Sequence, residues 1–156
     1  MTVLGSPVAS PEESLARPSP DAPPPGRVPT VLLGQNEDTR LLLRGLLRLH
    51  RYPVLHEVGT VDELGALPSL PAPTVLVVDV ESVLTGWERD LPTVLARHPE
   101  LRALVLLPPE GAAFEPRARA AGATNVVVRP FAIRDFVRAV AAAAETPSSS
   151  PPRSPP

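Results

Sequence analysis

Residues 74–79 read Thr-Val-Leu-Val-Val-Asp. The run is continuous, mostly β-branched, and stops on an acid. A strand with one wet face alternates polar and apolar side chains, whereas an unbroken apolar run of this length marks a strand covered on both faces of a parallel sheet. Asp79 then stands where that strand leaves the sheet. Working outward, four weaker runs share the character: 30–33 (TVLL), 53–58 (PVLHEV), 102–107 (RALVLL) and 125–128 (NVVV). Each is short, and each is followed by a stretch with helical signals.

The first such stretch is TRLLLRGLLRLHR (39–51). Its leucines at 42, 43, 46, 47 and 49 make a broad apolar face, and Arg40, Arg44 and Arg48 fall at i, i+4 spacing on another. Asn36 suits the N-cap, and Glu37 and Asp38 suit the positive helix start; Gly45 weakens the helix. Thr60-Val-Asp-Glu63 is a capping box that opens a short helix ended by Pro68. A third helix falls within 88–98. Proline belongs in a first turn, so Pro92 predicts a start near Asp90. Residues 111–121 read as a weak helix broken by Pro116 and closed by Gly122. Arg129-Pro130 turns the chain, and 133–145 (IRDFVRAVAAAAE) is the last helix. Five strands alternating with five helices predict a three-layer α/β sandwich around a parallel sheet. Sites in such sheets lie at the carboxyl ends of the strands, which here carry Gly34, Gln35, Asp79, Pro108 and Arg129.

Composition sets the boundaries. Of 23 prolines in 156 residues, 8 fall within 1–30 and 5 within 146–156. Segments this rich in Pro, Ser and Ala bury too little apolar surface to offset their ordering entropy, so 1–27 and 146–156 are expected to be disordered tails around one domain at 28–145. The tails carry PxxP spacing (SPDAPPPGRVP and SPPRSPP), compatible with polyproline II recognition or with plain linkers. There is no Cys, which excludes disulfides, thiol chemistry and Cys-ligated metals. All 15 basic residues are Arg, so P-loop and Schiff-base lysines are excluded too. The net charge of −2 gives no general attraction for nucleic acid. No apolar run approaches a membrane span, and the first twenty residues lack a secretory signal pattern, so a cytoplasmic protein is expected.

With these elements in place, the sequence resembles the receiver domain of bacterial two-component response regulators. The resemblance covers 28–145. It rests on TVLL with its polar corner and NEDTRLLLRGLL, on PTVLVVD ending in Asp79, and on ARAAGATNVVVRPF (118–131). It implies a flavodoxin-like fold with strand order 2-1-3-4-5 and puts Asp79 at the phosphoacceptor position. In that family, two acids after the first strand join the acceptor Asp in holding Mg²⁺. A hydroxyl after the fourth strand and a Lys after the fifth bind the phosphoryl oxygens. The cation is needed because a carboxylate attacking a phosphoryl group meets like charge.

Here the acid pair falls on Gly34 and Gln35, with Tyr52 at the family's usual distance as the register check. A three-residue slip would bring in Glu37 and Asp38 instead, at the expense of polar residues buried in the first strand. The hydroxyl position falls on Pro108, the Lys position on Arg129 and the switch aromatic on Val126. Arg keeps the charge of Lys but not its geometry. The loop VESVLTGW (80–87) is a little shorter than the family pattern. The resemblance therefore implies a degenerate, or pseudo-, receiver: a stand-alone module of phosphorelay-type signal transduction. It would act by protein–protein contact, without enzymatic activity or a cofactor. The alternative is a working phosphoacceptor, phosphorylated on Asp79 with Mg²⁺.

The remaining candidates have plainer readings. Asp79 is either a phosphoacceptor or a strand-end carboxylate paired with Arg129. His50, His56 and His98 are read as surface or half-buried histidines rather than metal ligands, and Ser82 and Thr85 as solvated loop residues. Arg40, Arg44, Arg48 and Arg51 are read as a solvated helix edge. The resemblance implies a contact face on the fourth and fifth strands and helices, around Phe114, Phe131 and Phe136, with Phe136 assigned to the core. Expected partners are signalling proteins, a kinase or an effector, with no nucleic acid or membrane; a homodimer is left open.

Overall fold

In the computed structural model, the strand β3 (Thr74–Asp79) is buried at all six positions. The structure describes residues 27–80 and 86–146. Ser82, Thr85 and the Pro-rich stretches 1–26 and 147–156 lie outside the described residues. β3 pairs in parallel with β1 (Thr30–Leu33) on one side and β4 (Leu101–Leu107) on the other. β2 (Val54–Val58) and β5 (Ala123–Val128) complete a five-stranded parallel sheet in the order β2-β1-β3-β4-β5. This is the expected flavodoxin-like arrangement.

Successive strand side chains point to opposite faces, so the sheet splits its apolar residues between two cores. Val75, Val77, Leu104 and Leu106 pack against Leu43 and Leu47 of α1 (Glu37–Leu49) and against Phe136, Ala139, Val140 and Ala143 of α5 (Ile133–Glu145). Leu76, Val78, Val105 and Leu107 pack on the other side. Their partners are Leu64 of α2 (Val61–Gly65), Trp87, Leu91 and Val94 of α3 (Trp87–Arg97), and Ala118 of α4 (Glu115–Ala120). Tyr52, the register residue, is buried in the α1/α5 core, with the Arg27 guanidinium 5.0 Å from its ring centroid.

Local signals explain most boundaries. Asn36 caps α1 by accepting the Thr39 N–H at 2.9 Å. Thr60 caps α2 by accepting the Glu63 N–H at 3.1 Å, while Glu63 accepts from the Gly59 N–H at 3.1 Å.

Two boundaries depart from expectation. α3 begins at Trp87 rather than near Asp90, and Pro92 lies inside it. Gly86, at φ +80°, offers its carbonyl to the N–H groups of Arg89 (3.1 Å) and Asp90 (3.0 Å), which opens the helix early. The stripe Trp87, Leu91, Val94 is buried, and this burial outweighs the backbone bond that Pro92 cannot make. The stretch read as one weak helix is a 3-10 segment, Pro109–Phe114, followed by α4. Pro116 is the second residue of α4, where its missing N–H breaks nothing, so it starts a helix instead of breaking one.

Candidate functional site

The carboxyl ends of β1, β3, β4 and β5 meet at one corner. β1 stops at Leu33, and Gly34 follows directly, its N–H donating to the Val58 carbonyl at 3.0 Å. Glu37 and Asp38 lie exposed in the first turn of α1, past the end of β1, and Gln35 is exposed as well. Asp79 ends β3, and its side chain is 1% exposed. Pro108 follows β4 and is half-buried. Arg129 follows β5, and its backbone N–H donates to the Leu107 carbonyl at 2.9 Å. Val126 sits within β5 and is half-buried.

The dominant contact at this corner is an ion pair. Arg129 Nη2 lies 2.6 Å from Asp79 Oδ1. The Arg129 side chain is 25% exposed, so the pair has a buried anion and a cation that touches water. The guanidinium also sits 5.9 Å from the Phe131 ring centroid, and Phe131 stacks on buried Phe136 with centroids 5.7 Å apart. The chain Asp79–Arg129–Phe131–Phe136 thus ties the β3 corner to α5. Phe136 is core, as expected. Phe114 is 40% exposed, with Arg117 over its ring at 5.2 Å.

A second arginine reaches the corner from α1, and sequence reasoning missed it. Arg40 Nη1–H donates to the Gly34 carbonyl at 2.5 Å, and its Nε lies 4.0 Å from Glu57 of β2. Arg44 pairs with the same carboxylate at 2.7 Å. The expected solvated basic edge is therefore divided: Arg40 and Arg44 are spent on Glu57, whereas Arg48 and Arg51 are exposed. The i, i+4 spacing of Arg40 and Arg44 was visible in the sequence, but their common partner lies on another element.

The corner does not fit the Mg²⁺ that the fold family implies. Mg²⁺ is held through hard oxygen ligands, chiefly carboxylates. Gly34 and Gln35 supply no carboxylate, and the Asp79 carboxylate is engaged by Arg129. A Cβ on Gly34 would lie 3.2 Å from Asp79 Cβ, so a larger residue at 34 would press on the Asp79 side chain. Among the described residues, no group of three or more His, Cys, Asp or Glu could hold a metal ion. His50 caps α1, His56 lies in β2 and His98 ends α3. His98 is buried rather than half-exposed, with Nδ1 3.2 Å from Glu100 Oε2. Beside the Asp79–Arg129 pair, a groove of about 380 Å³ opens between α1 and the loops after β4 and β5, lined by Thr39, Leu42, Leu43, Leu46, Pro108, Glu110, Arg129 and Phe131.

Among the described residues, no helix is long and apolar enough to cross a membrane. No family model matches the sequence, and no curated protein matches it. Solved structures do match. The non-phosphorylated HemR receiver domain of Leptospira biflexa is 20% identical, with a TM-score of 0.62 over 77% of this chain and 96% of that one. A response regulator receiver domain protein from Clostridium thermocellum is 16% identical, with a TM-score of 0.61 over 75% and 94%. A pilus assembly-related protein from Burkholderia pseudomallei is 20% identical, with a TM-score of 0.58 over 78% and 94%. The sheet order, the two helical layers and these matches together show that the chain has the fold of response-regulator receiver domains.

Proposed function

We propose that this chain is a degenerate receiver: a signalling module that acts by protein–protein contact and does not run Mg²⁺-dependent phosphorylation of Asp79. The observation that carries the reading is the 2.6 Å ion pair between buried Asp79 and Arg129, at a corner where Gly34 and Gln35 stand in place of an acid pair. An attacking carboxylate must be free to approach the phosphoryl group, and the like charges must be neutralised by a cation. Here the counter-charge is a guanidinium fixed on the nucleophile itself. Pro108 offers no hydroxyl to a phosphoryl oxygen, and Val126 offers no aromatic ring to swing. The module is accordingly held in one charge state and presents a constant surface. Solved proteins of this fold carry both response-regulator and pilus-assembly names, so the output follows from the partner it meets.

The opposing reading, a phosphoacceptor at Asp79, draws on the place of that residue at the end of β3 beside a cation. It requires Arg129 to release the carboxylate and Mg²⁺ to bind without the acid pair whose place Gly34 and Gln35 take. Titration with Mg²⁺, followed by amide NMR shifts at Gly34, Asp79 and Val80, separates the two. No saturable shift in the millimolar range is expected. A saturable shift that Asp79→Asn abolishes would overturn the proposal.

A further inference from the structure

We propose that the segment 147–156 of this chain folds back over the groove beside the Asp79–Arg129 pair and covers it. Leu42, Leu43, Leu46, Pro108 and Phe131 give the groove its apolar lining. Its charges are uneven. The Arg129 guanidinium is neutralised by Asp79 at 2.6 Å. Glu110, by contrast, is exposed and has no ion pair among the described residues. Asp38 is exposed one helical turn before Leu42 and likewise has none. The groove thus offers apolar surface beside two acids that lack a counter-charge.

The segment 147–156 complements it in composition and in reach. It reads Pro-Ser-Ser-Ser-Pro-Pro-Arg-Ser-Pro-Pro, with Arg153 as its one charged side chain. The stretch before residue 27 carries Glu12, Glu13 and Asp21 against Arg17, so the same acids disfavour it. Thr146 is tied to the start of β4, where its carbonyl accepts from Arg102 Nε at 2.9 Å. Pro108 follows the other end of that strand. Six steps of strand from Arg102 to Pro108 measure about 20 Å. A polyproline II chain advances about 3.1 Å per residue, so 147–156 covers about 31 Å and leaves about 10 Å for turning back along α5. Thr146 itself has φ −73° and ψ 135°, the polyproline II region, as suits a residue before proline. Prolines whose φ is already fixed lower the entropy cost of ordering the segment. The short tether adds an effective concentration in the millimolar range, so a weak contact suffices. A partner that docks in the groove then has to displace this segment. The contact rests on the groove and the segment alone and is independent of whether Asp79 takes a phosphoryl group.

Paramagnetic broadening in the full chain tests the proposal. The chain has no Cys, so Ser154→Cys gives one attachment point for a nitroxide spin label. The amide signals of Leu42, Leu46 and Glu110 are expected to broaden more than those of Leu101 and Arg102 at the start of β4. Arg153→Glu should reverse that order and leave the melting temperature unchanged, and adding Glu110→Arg should restore the groove pattern in part. Broadening that is strongest at the start of β4 and fades toward the groove overturns the proposal, because a segment that merely trails from Thr146 gives that pattern. Two other results also overturn it. One is groove broadening in a mixture where the nitroxide and the ¹⁵N label sit on different molecules, which assigns the occupant to a second copy. The other is a groove pattern that arises from a label at Ser10→Cys and not from Ser154→Cys, which assigns it to the opposite end of the chain.

Discussion

Replacing Arg129 by Ala removes the guanidinium from a carboxylate that is 1% exposed. Breaking a buried ion pair from one side typically costs about 3–5 kcal/mol, because the remaining charge keeps its desolvation penalty. Arg129→Ala should therefore destabilise the domain by about 3–4 kcal/mol, or roughly 12–16 °C in melting temperature for a domain of this size. The reverse substitution is milder. Asp79→Asn removes the buried charge and leaves Arg129, already 25% exposed, free to turn toward water in the groove, at a cost of about 1 kcal/mol. The double variant should then be more stable than Arg129→Ala alone, a positive coupling that a double-mutant cycle reads directly. Urea unfolding at pH 7 measures all four states. The reasoning fails if Arg129→Ala lies within about 1 kcal/mol of the parent, or if Asp79→Asn is the more damaging change.

Three further outcomes are expected. Glu100 is half-buried, which opposes its charge, but the Leu70 N–H at 3.0 Å, its own backbone N–H and His98 outweigh this partial burial and hold its carboxyl below the ordinary range. A carboxyl lowered on folding stabilises above its unfolded value, about 4.3, and loses that contribution as pH falls through the lowered one; Glu100→Gln should cost about 1–2 kcal/mol near pH 7 and progressively less below about pH 4, read by urea midpoints across pH. Gly122 has φ +115°, so Gly122→Ala should cost about 1–3 kcal/mol by thermal unfolding, chiefly through backbone strain, because the Leu95 methyl that a Cβ would meet at 2.6 Å is a side-chain tip that can turn away. Val77 is fully buried in mid-β3, so Val77→Asp should abolish cooperative unfolding in calorimetry, and a soluble, cooperatively folding variant would contradict the central place of β3.

Much of the fold was legible because the deciding signals are local. The unbroken TVLVVD run names a strand covered on both faces, and the Asn36 and Thr60 caps name helix starts from side chains within three residues. The start of α3 was misread because a local rule about Pro92 competed with a distant gain, the burial of Trp87, which becomes visible once the sheet is assembled. Pro116 was misread for a related reason: as a breaker it ends a helix, as a second residue it begins one, and the choice depends on where the preceding 3-10 segment stops. At the site, Asp79 and Arg129 could be paired in advance because each follows a strand of a recognisable pattern. Arg40 could not, because its reach to the Gly34 carbonyl depends on how α1 leans across β1 and β2, and its partner Glu57 lies seventeen positions away on another element. The His98–Glu100–Leu70 cluster was illegible for the same reason: the Leu70 N–H meets Glu100 only after the chain has passed through β3 and α3.

The account stands most directly on the chemistry of Asp79. Incubating the full chain with acetyl phosphate and Mg²⁺, with Asp79→Asn in parallel, and reading intact mass measures that chemistry without reference to any partner. Asp79 is held at 2.6 Å by Arg129, and Gly34 and Gln35 offer no carboxylate to a cation. The account predicts that both proteins keep their unmodified mass. A stoichiometric adduct of one phosphate on the parent chain, absent from Asp79→Asn, would contradict it and identify Asp79 as a working phosphoacceptor.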